Sequence, residues 1–89
     1  MVKYKPFSKI VGTGSALPGI AISNDDLALM LKKNGIETSD SWIKERSGIS
    51  QRYFASETDT TCSLGLQASL RAMEDASVTP NQIDLVIVA

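Results

Sequence analysis

A chain of 89 residues with a formal net charge of −1 has room for one small domain at most, and it offers no electrostatic footprint for nucleic acid or an anionic membrane surface. Its 43% hydrophobic and 21% charged residues are a globular composition, which excludes a disordered tail. With no histidine and a single cysteine, Cys62, these residues cannot by themselves form a Ser-His-Asp triad, a Cys-His dyad, a His-ligated or Cys₄ metal site, or an internal disulfide.

The predicted elements follow in chain order. Met1–Pro6 reads as a polar leader, with no signal peptide and no membrane span after it, so the expected compartment is the cytoplasm. Phe7–Gly12 reads as a strand centred on Ile10 and Val11, closed by a turn at Gly12-Thr13-Gly14-Ser15, and Pro18-Gly19 marks a second turn. Asn24 is expected to cap a helix reaching about Lys33, with Asp25 and Asp26 in its first turn, an apolar stripe of Leu27, Met30 and Leu31, and Asn34-Gly35 as its stop. A second helix is expected from Thr38 or Ser39 to Arg46, then a short extended piece over Gln51–Ala55. Thr60 or Thr61 should open a third helix to about Ser77, with Leu66, Leu70, Met73 and Ala76 as its buried face. Thr79-Pro80 starts a short turn, and Asp84–Ala89 ends on the unbroken apolar, β-branched run expected of a strand covered on both faces. The order strand, helices, strand predicts an α/β protein with a parallel sheet, and the apolar last run predicts that this chain is part of a larger one.

Three patterns could carry chemistry. Gly12-Thr13-Gly14 follows a predicted strand, but Leu17 stands where a dinucleotide fingerprint needs its third glycine and no helix starts there, so a tight turn is the better reading. Cys62 lies near a predicted helix start, where a thiolate is favoured; with no imidazole to act as base, a small core residue is expected. Trp42 and Arg46 stand four residues apart and Thr38 four before Trp42, so one helix face would present a flat ring, a cation and a hydroxyl. Spacing alone favours a half-buried tryptophan beside a solvated arginine.

The segment Thr38-Ser39-Asp40-Ser41-Trp42-Ile43-Lys44-Glu45-Arg46-Ser47-Gly48-Ile49-Ser50-Gln51-Arg52 resembles the T-S-D-E-W-I-x-x-R-(T/S)-G-I-x-x-R signature of the β-ketoacyl-acyl carrier protein synthase III family. Ile10–Pro18, Asn24–Leu27 and Ile83–Ala89 are similar to that family's opening strand, first helix and second strand, in the same order. Two departures stand out: Ser41 replaces the usual Glu, and Lys32–Glu37 looks longer than the common form.

The resemblance implies the N-terminal portion of the first half of a thiolase-type fold, a layered α/β/α structure with a mixed sheet, incomplete in residues 1–89. It implies a homodimeric condensing enzyme that joins an acyl group from acyl-CoA to malonyl-acyl carrier protein with loss of carbon dioxide, initiating fatty acid synthesis. No permanently bound cofactor is implied; the coenzyme A thioester is a substrate. The family's catalytic cysteine, histidine and asparagine are expected beyond Ala89, so no catalytic residue is assigned here and the 89 residues alone are expected to be inactive. Carried over residue by residue, Trp42 matches the tryptophan that stacks on the coenzyme A adenine, Arg46 an arginine at the nucleotide end of that site, and Thr38 a threonine beside the adenine. Alternatives are a relative making a polyketide or quinolone product, and a short non-catalytic interaction module.

Overall fold

The computed structural model describes residues 6–89, and the polar leader, apart from Pro6, lies outside the described residues. The chain divides into two compact units, Leu17–Thr60 and the residues up to Ala16 together with Thr61–Ala89.

The unit Leu17–Thr60 holds β1 (Ala21–Ser23), α1 (Asn24–Lys32), α2 (Asp40–Ser47) and β2 (Gln51–Tyr53). The two strands pair antiparallel, with Ala21 opposite Tyr53, Ile22 opposite Arg52 and Ser23 opposite Gln51. The extended piece expected at Gln51–Ala55 is thus a strand; its partner β1 has no alternating pattern to announce it. α1 starts where expected, but its cap is Ser23, whose hydroxyl accepts the Asp26 amide at 3.1 Å. Asn24 is therefore the first helical residue, and its side chain is free for another purpose. The helix stops as the Asn34-Gly35 pair predicts: the Gly35 amide donates to the Lys32 carbonyl and the Ile36 amide to the Leu31 carbonyl, the two bonds of a Schellman motif. Ser39 caps α2, accepting the Trp42 amide at 3.2 Å. The unit's interior is small. α1 supplies Leu27 and α2 supplies Ile43, 8% and 7% exposed, and the third buried residue is polar: Asn24, at 1%.

The other unit is built on α3 (Thr61–Ala76), followed by a 3₁₀ turn at Pro80–Gln82. Pro80 occupies the first helical position, as expected after Thr79, and the Gln82 side-chain oxygen accepts the Thr79 amide at 2.8 Å. α3 ends at Ala76, with Ser77 at φ +55° and the Val78 amide returning to the Met73 carbonyl. Residues 12–15 lie against this helix: the Thr13 amide donates to Asp75 at 3.0 Å, and Arg71 donates to the Ser15 carbonyl at 2.6 Å.

Three expectations are corrected in this unit. Phe7–Gly12 and Asp84–Ala89, predicted as strands, enter no ladder among the described residues, where the only sheet is β1–β2. A strand exists only when a neighbouring backbone accepts its hydrogen bonds, and neither stretch meets one; Ile10, Val11 and Leu85 to Val88 stay exposed. Gly12 and Gly14 do not mark a tight turn with positive φ. A Cβ on Gly12 would sit 2.5 Å from the Ala72 carbonyl oxygen, and one on Gly14 2.5 Å from the Ala72 amide nitrogen, so the glycines let this backbone approach α3 closely. The covered face of α3 is accordingly the small one. Leu64, Ala68, Ala72 and Ala76, with Met73, are partly buried, whereas Leu66 and Leu70, expected in the core, are exposed.

Candidate functional site

The two turns of α2 place Trp42 and Arg46 one above the other. The Arg46 guanidinium carbon lies 4.4 Å from the centre of the Trp42 ring, a cation–π contact. Trp42 is 52% exposed, so the ring is a platform with one face under a cation and further surface open to solvent. Arg46 forms no ion pair with a carboxylate among the described residues; the ion pair on this helix joins Lys44 to Asp40 at 3.5 Å, between side chains that are both partly exposed and so worth little. The end of α2 is set by two adjacent residues. Ser47 donates to the Ile43 carbonyl at 2.7 Å and accepts the Ile49 amide at 3.1 Å, while Gly48 takes φ +71° and sends its amide to the Lys44 carbonyl at 2.8 Å.

Thr38, just before the cap, is half-buried, and its hydroxyl oxygen is buried with no hydrogen-bond partner among the described residues. It lines a concavity of about 540 Å³ with Asp25, Leu29 and Lys32 of α1 and with Glu37 and Ser39. Trp42 and Arg46 do not line that hollow. The structure therefore joins Trp42 to Arg46 directly and sets Thr38 in the concavity beside the start of their helix.

Asn24 is the residue that sequence reasoning missed. Its amide nitrogen donates to Asp40 Oδ1 at 2.9 Å and to the Ile49 carbonyl at 2.7 Å, linking α1 to both ends of the α2 segment. The signal was present but ambiguous: Ser23 and Asn24 are both good caps, and only one of two neighbours can serve.

No family model matches the chain. Among solved structures, 3-oxoacyl-(acyl-carrier-protein) synthase III from Aquifex aeolicus is 37% identical over 85% of the chain, with a TM-score of 0.69. A priming β-ketosynthase from a polyketide biosynthetic pathway is 34% identical over 94% of the chain, with a TM-score of 0.75. The chain belongs to the β-ketoacyl-acyl carrier protein synthase III family. Its fold is that of the thiolase-type condensing enzymes, of which it represents a part: it spans 23% of the synthase III chain and 24% of the priming β-ketosynthase chain.

Two other features of this synthase III chain bear on chemistry. Cys62 is exposed in the first turn of α3 and is not the core residue expected, because the helix turns its small alanine face, not its first turn, against residues 12–15. Asp59 is held below the usual carboxylate range, first by the Ser56 amide and then by the Ser56 hydroxyl, both donating to it at 2.9 Å in an exposed turn. Among the described residues no group of three or more His, Cys, Asp or Glu could hold a metal, and no helix is long and apolar enough to cross a membrane.

Proposed function

We propose that the complete enzyme is a cytoplasmic homodimer that transfers an acyl group from acyl-CoA and condenses it with malonyl-acyl carrier protein, releasing carbon dioxide and starting a fatty acid chain. In this reading residues 1–89 are the N-terminal portion of its first thiolase-like half. They hold the nucleotide end of the acyl-CoA, and the groups that carry the acyl chemistry lie outside them. The observation that carries the reading is the stacked Trp42–Arg46 pair on an exposed helix face, in a chain 37% identical to a synthase III. The open part of the Trp42 ring receives the adenine. Arg46, already resting on the ring and with no carboxylate partner among the described residues, supplies the positive charge for a phosphate of the same nucleotide. Thr38 offers a hydroxyl that can both donate and accept, whose oxygen finds no partner among the described residues. The coenzyme A thioester is a substrate and not a resident cofactor.

A second reading, priming of a polyketide chain by the same type of condensation, is supported by the 34% identity to a priming β-ketosynthase over nearly the whole chain. Comparison of acyl carrier proteins as acceptors with the complete enzyme separates the two.

The nucleotide site is tested by steady-state kinetics on acyl-CoA and on acyl-pantetheine, which lacks the nucleotide. Base stacking on an aromatic ring is worth about 1–3 kcal/mol, so Trp42→Ala should raise KM for acyl-CoA roughly ten- to a hundred-fold and leave acyl-pantetheine unchanged. Equal harm to both substrates, or to neither, would refute the assignment.

A further inference from the structure

Asn24 is the only polar residue among those described that is fully buried, and it is not idle. Its side-chain nitrogen is shared between Asp40 Oδ1 and the Ile49 carbonyl, and its backbone amide donates to the Ser50 carbonyl at 3.2 Å. Two acceptors at one nitrogen settle which way the amide faces, since the reversed group would set Oδ1 against two oxygens. The same fact separates asparagine from aspartate here, because a carboxylate has no proton to offer either acceptor. Asp40 is the first residue of α2, and Ile49 and Ser50 follow immediately after its Gly48 stop. One residue of α1 thus grips an eight-residue helix at its beginning and just past its end. Between those two points lie Trp42 and Arg46.

The arrangement carries a cost that packing alone does not require. The Oδ1 atom of Asn24 is buried without a hydrogen-bond partner among the described residues. An apolar side chain would avoid that orphan but could not hold both Asp40 and Ile49. A short helix with a single buried apolar residue, Ile43, has little else to set its rotation.

We propose that Asn24 is a positioning residue for nucleotide binding: by fixing both ends of α2 it sets the orientation of the Trp42–Arg46 face towards the acyl-CoA nucleotide. This inference rests on the nucleotide-site reading. Asn24 itself touches neither Trp42 nor Arg46 through a hydrogen bond; it acts through Asp40 and the Ile49–Ser50 backbone.

The experiment measures KM and kcat of the complete enzyme with acyl-CoA and acyl-pantetheine for Asn24→Ala, Asp40→Ala, Asp40→Asn and Trp42→Ala. Asn24→Ala and Asp40→Ala should each raise KM for acyl-CoA by roughly ten-fold, with kcat and both acyl-pantetheine constants unchanged. Asp40→Asn, which keeps an oxygen to accept from Asn24, should restore the acyl-CoA value. The double variant Asn24→Ala/Asp40→Ala should be little worse than Asn24→Ala alone, because Asn24→Ala already removes the bond to Asp40 as well as the one to Ile49. Should Asn24→Ala fail to fold, the contrast between Asp40→Ala and Asp40→Asn decides the matter. The proposal is overturned if Asp40→Asn behaves like Asp40→Ala, if neither Asn24→Ala nor Asp40→Ala moves KM for acyl-CoA, or if both substrates suffer alike. If Trp42→Ala leaves acyl-CoA kinetics untouched, the nucleotide-site reading itself falls; if Trp42→Ala acts and Asn24→Ala does not, only the positioning role is lost.

Discussion

Ser47 and Gly48 stop α2 by different physical means, and each makes a separate demand on its position. The Ser47 hydroxyl bridges the Ile43 carbonyl and the Ile49 amide, so only a residue with an oxygen on Cβ can replace it. Gly48 has open space where a Cβ would go, so its requirement is conformational: φ is +71°. Gly48→Ala should therefore lower stability by about 1 kcal/mol through backbone strain. Ser47→Ala should lower it by about 1 kcal/mol through the lost bonds, and Ser47→Thr should be tolerated. Urea unfolding of the complete protein measures these differences, and a neutral Gly48→Ala would contradict the left-handed cap. Arg46 adds a prediction of its own. Its charge acts on a phosphate at an exposed site, so Arg46→Ala should weaken acyl-CoA binding most at low ionic strength, and the gap from the unaltered enzyme should narrow as salt is raised. A salt-independent gap in a titration series would point to packing against the Trp42 ring as the residue's main role.

α3 shows what a helix requires of the segment laid upon it. Leu66 and Leu70 have the apolar spacing of a core face, but the helix buries its alanines, because the backbone of residues 12–15 comes close only where side chains are small on both sides. The contact is further tied by Asp75 to the Thr13 amide and by Arg71 to the Ser15 carbonyl. A methyl group on Gly12 would meet backbone, which cannot swing aside. Gly12→Ala should consequently cost about 1–3 kcal/mol, as overpacking does. Ala72→Gly, which removes a methyl from the opposite side, should be much milder than Gly12→Val. Unfolding midpoints of the three variants test this, and a fully stable Gly12→Val would show that the close approach is not maintained in solution.

For the chain as a whole, surface chemistry predicts behaviour. Ile10, Ile87 and Val88 are each more than four-fifths exposed, and Leu85 and Val86 beside them nearly as much. Backbone in this run has no ladder partner among the described residues, so both its apolar side chains and its peptide groups are available to another chain. The isolated 89-residue polypeptide should associate in solution, seen as a mass above monomer by light scattering, and should release no carbon dioxide from malonyl-acyl carrier protein. A monodisperse monomer with a sharp, reversible melting transition would contradict the first expectation, and measurable decarboxylation the second.

Sequence alone determined the helices, the stops after α1 and α2, the turn at Thr79-Pro80 and the helical register that stacks Arg46 on Trp42. Each depends on residues within about one turn of one another, where periodicity, capping hydroxyls and glycine have direct effects. The resemblance carried by Thr38–Arg52 was legible for the same reason, since Ser39, Ser47 and Gly48 all have local structural duties inside it. Tertiary structure decided the rest. β1 became a strand only because β2, beyond both helices, returned to pair with it. Asn24 was released from capping and found partners 16 and 25 residues away. Which face of α3 is covered, and that Cys62 lies outside it, depended on where another backbone came to rest. A ladder, a buried amide and a close backbone contact are each completed by a distant group, and no local pattern specifies the distance at which that group arrives.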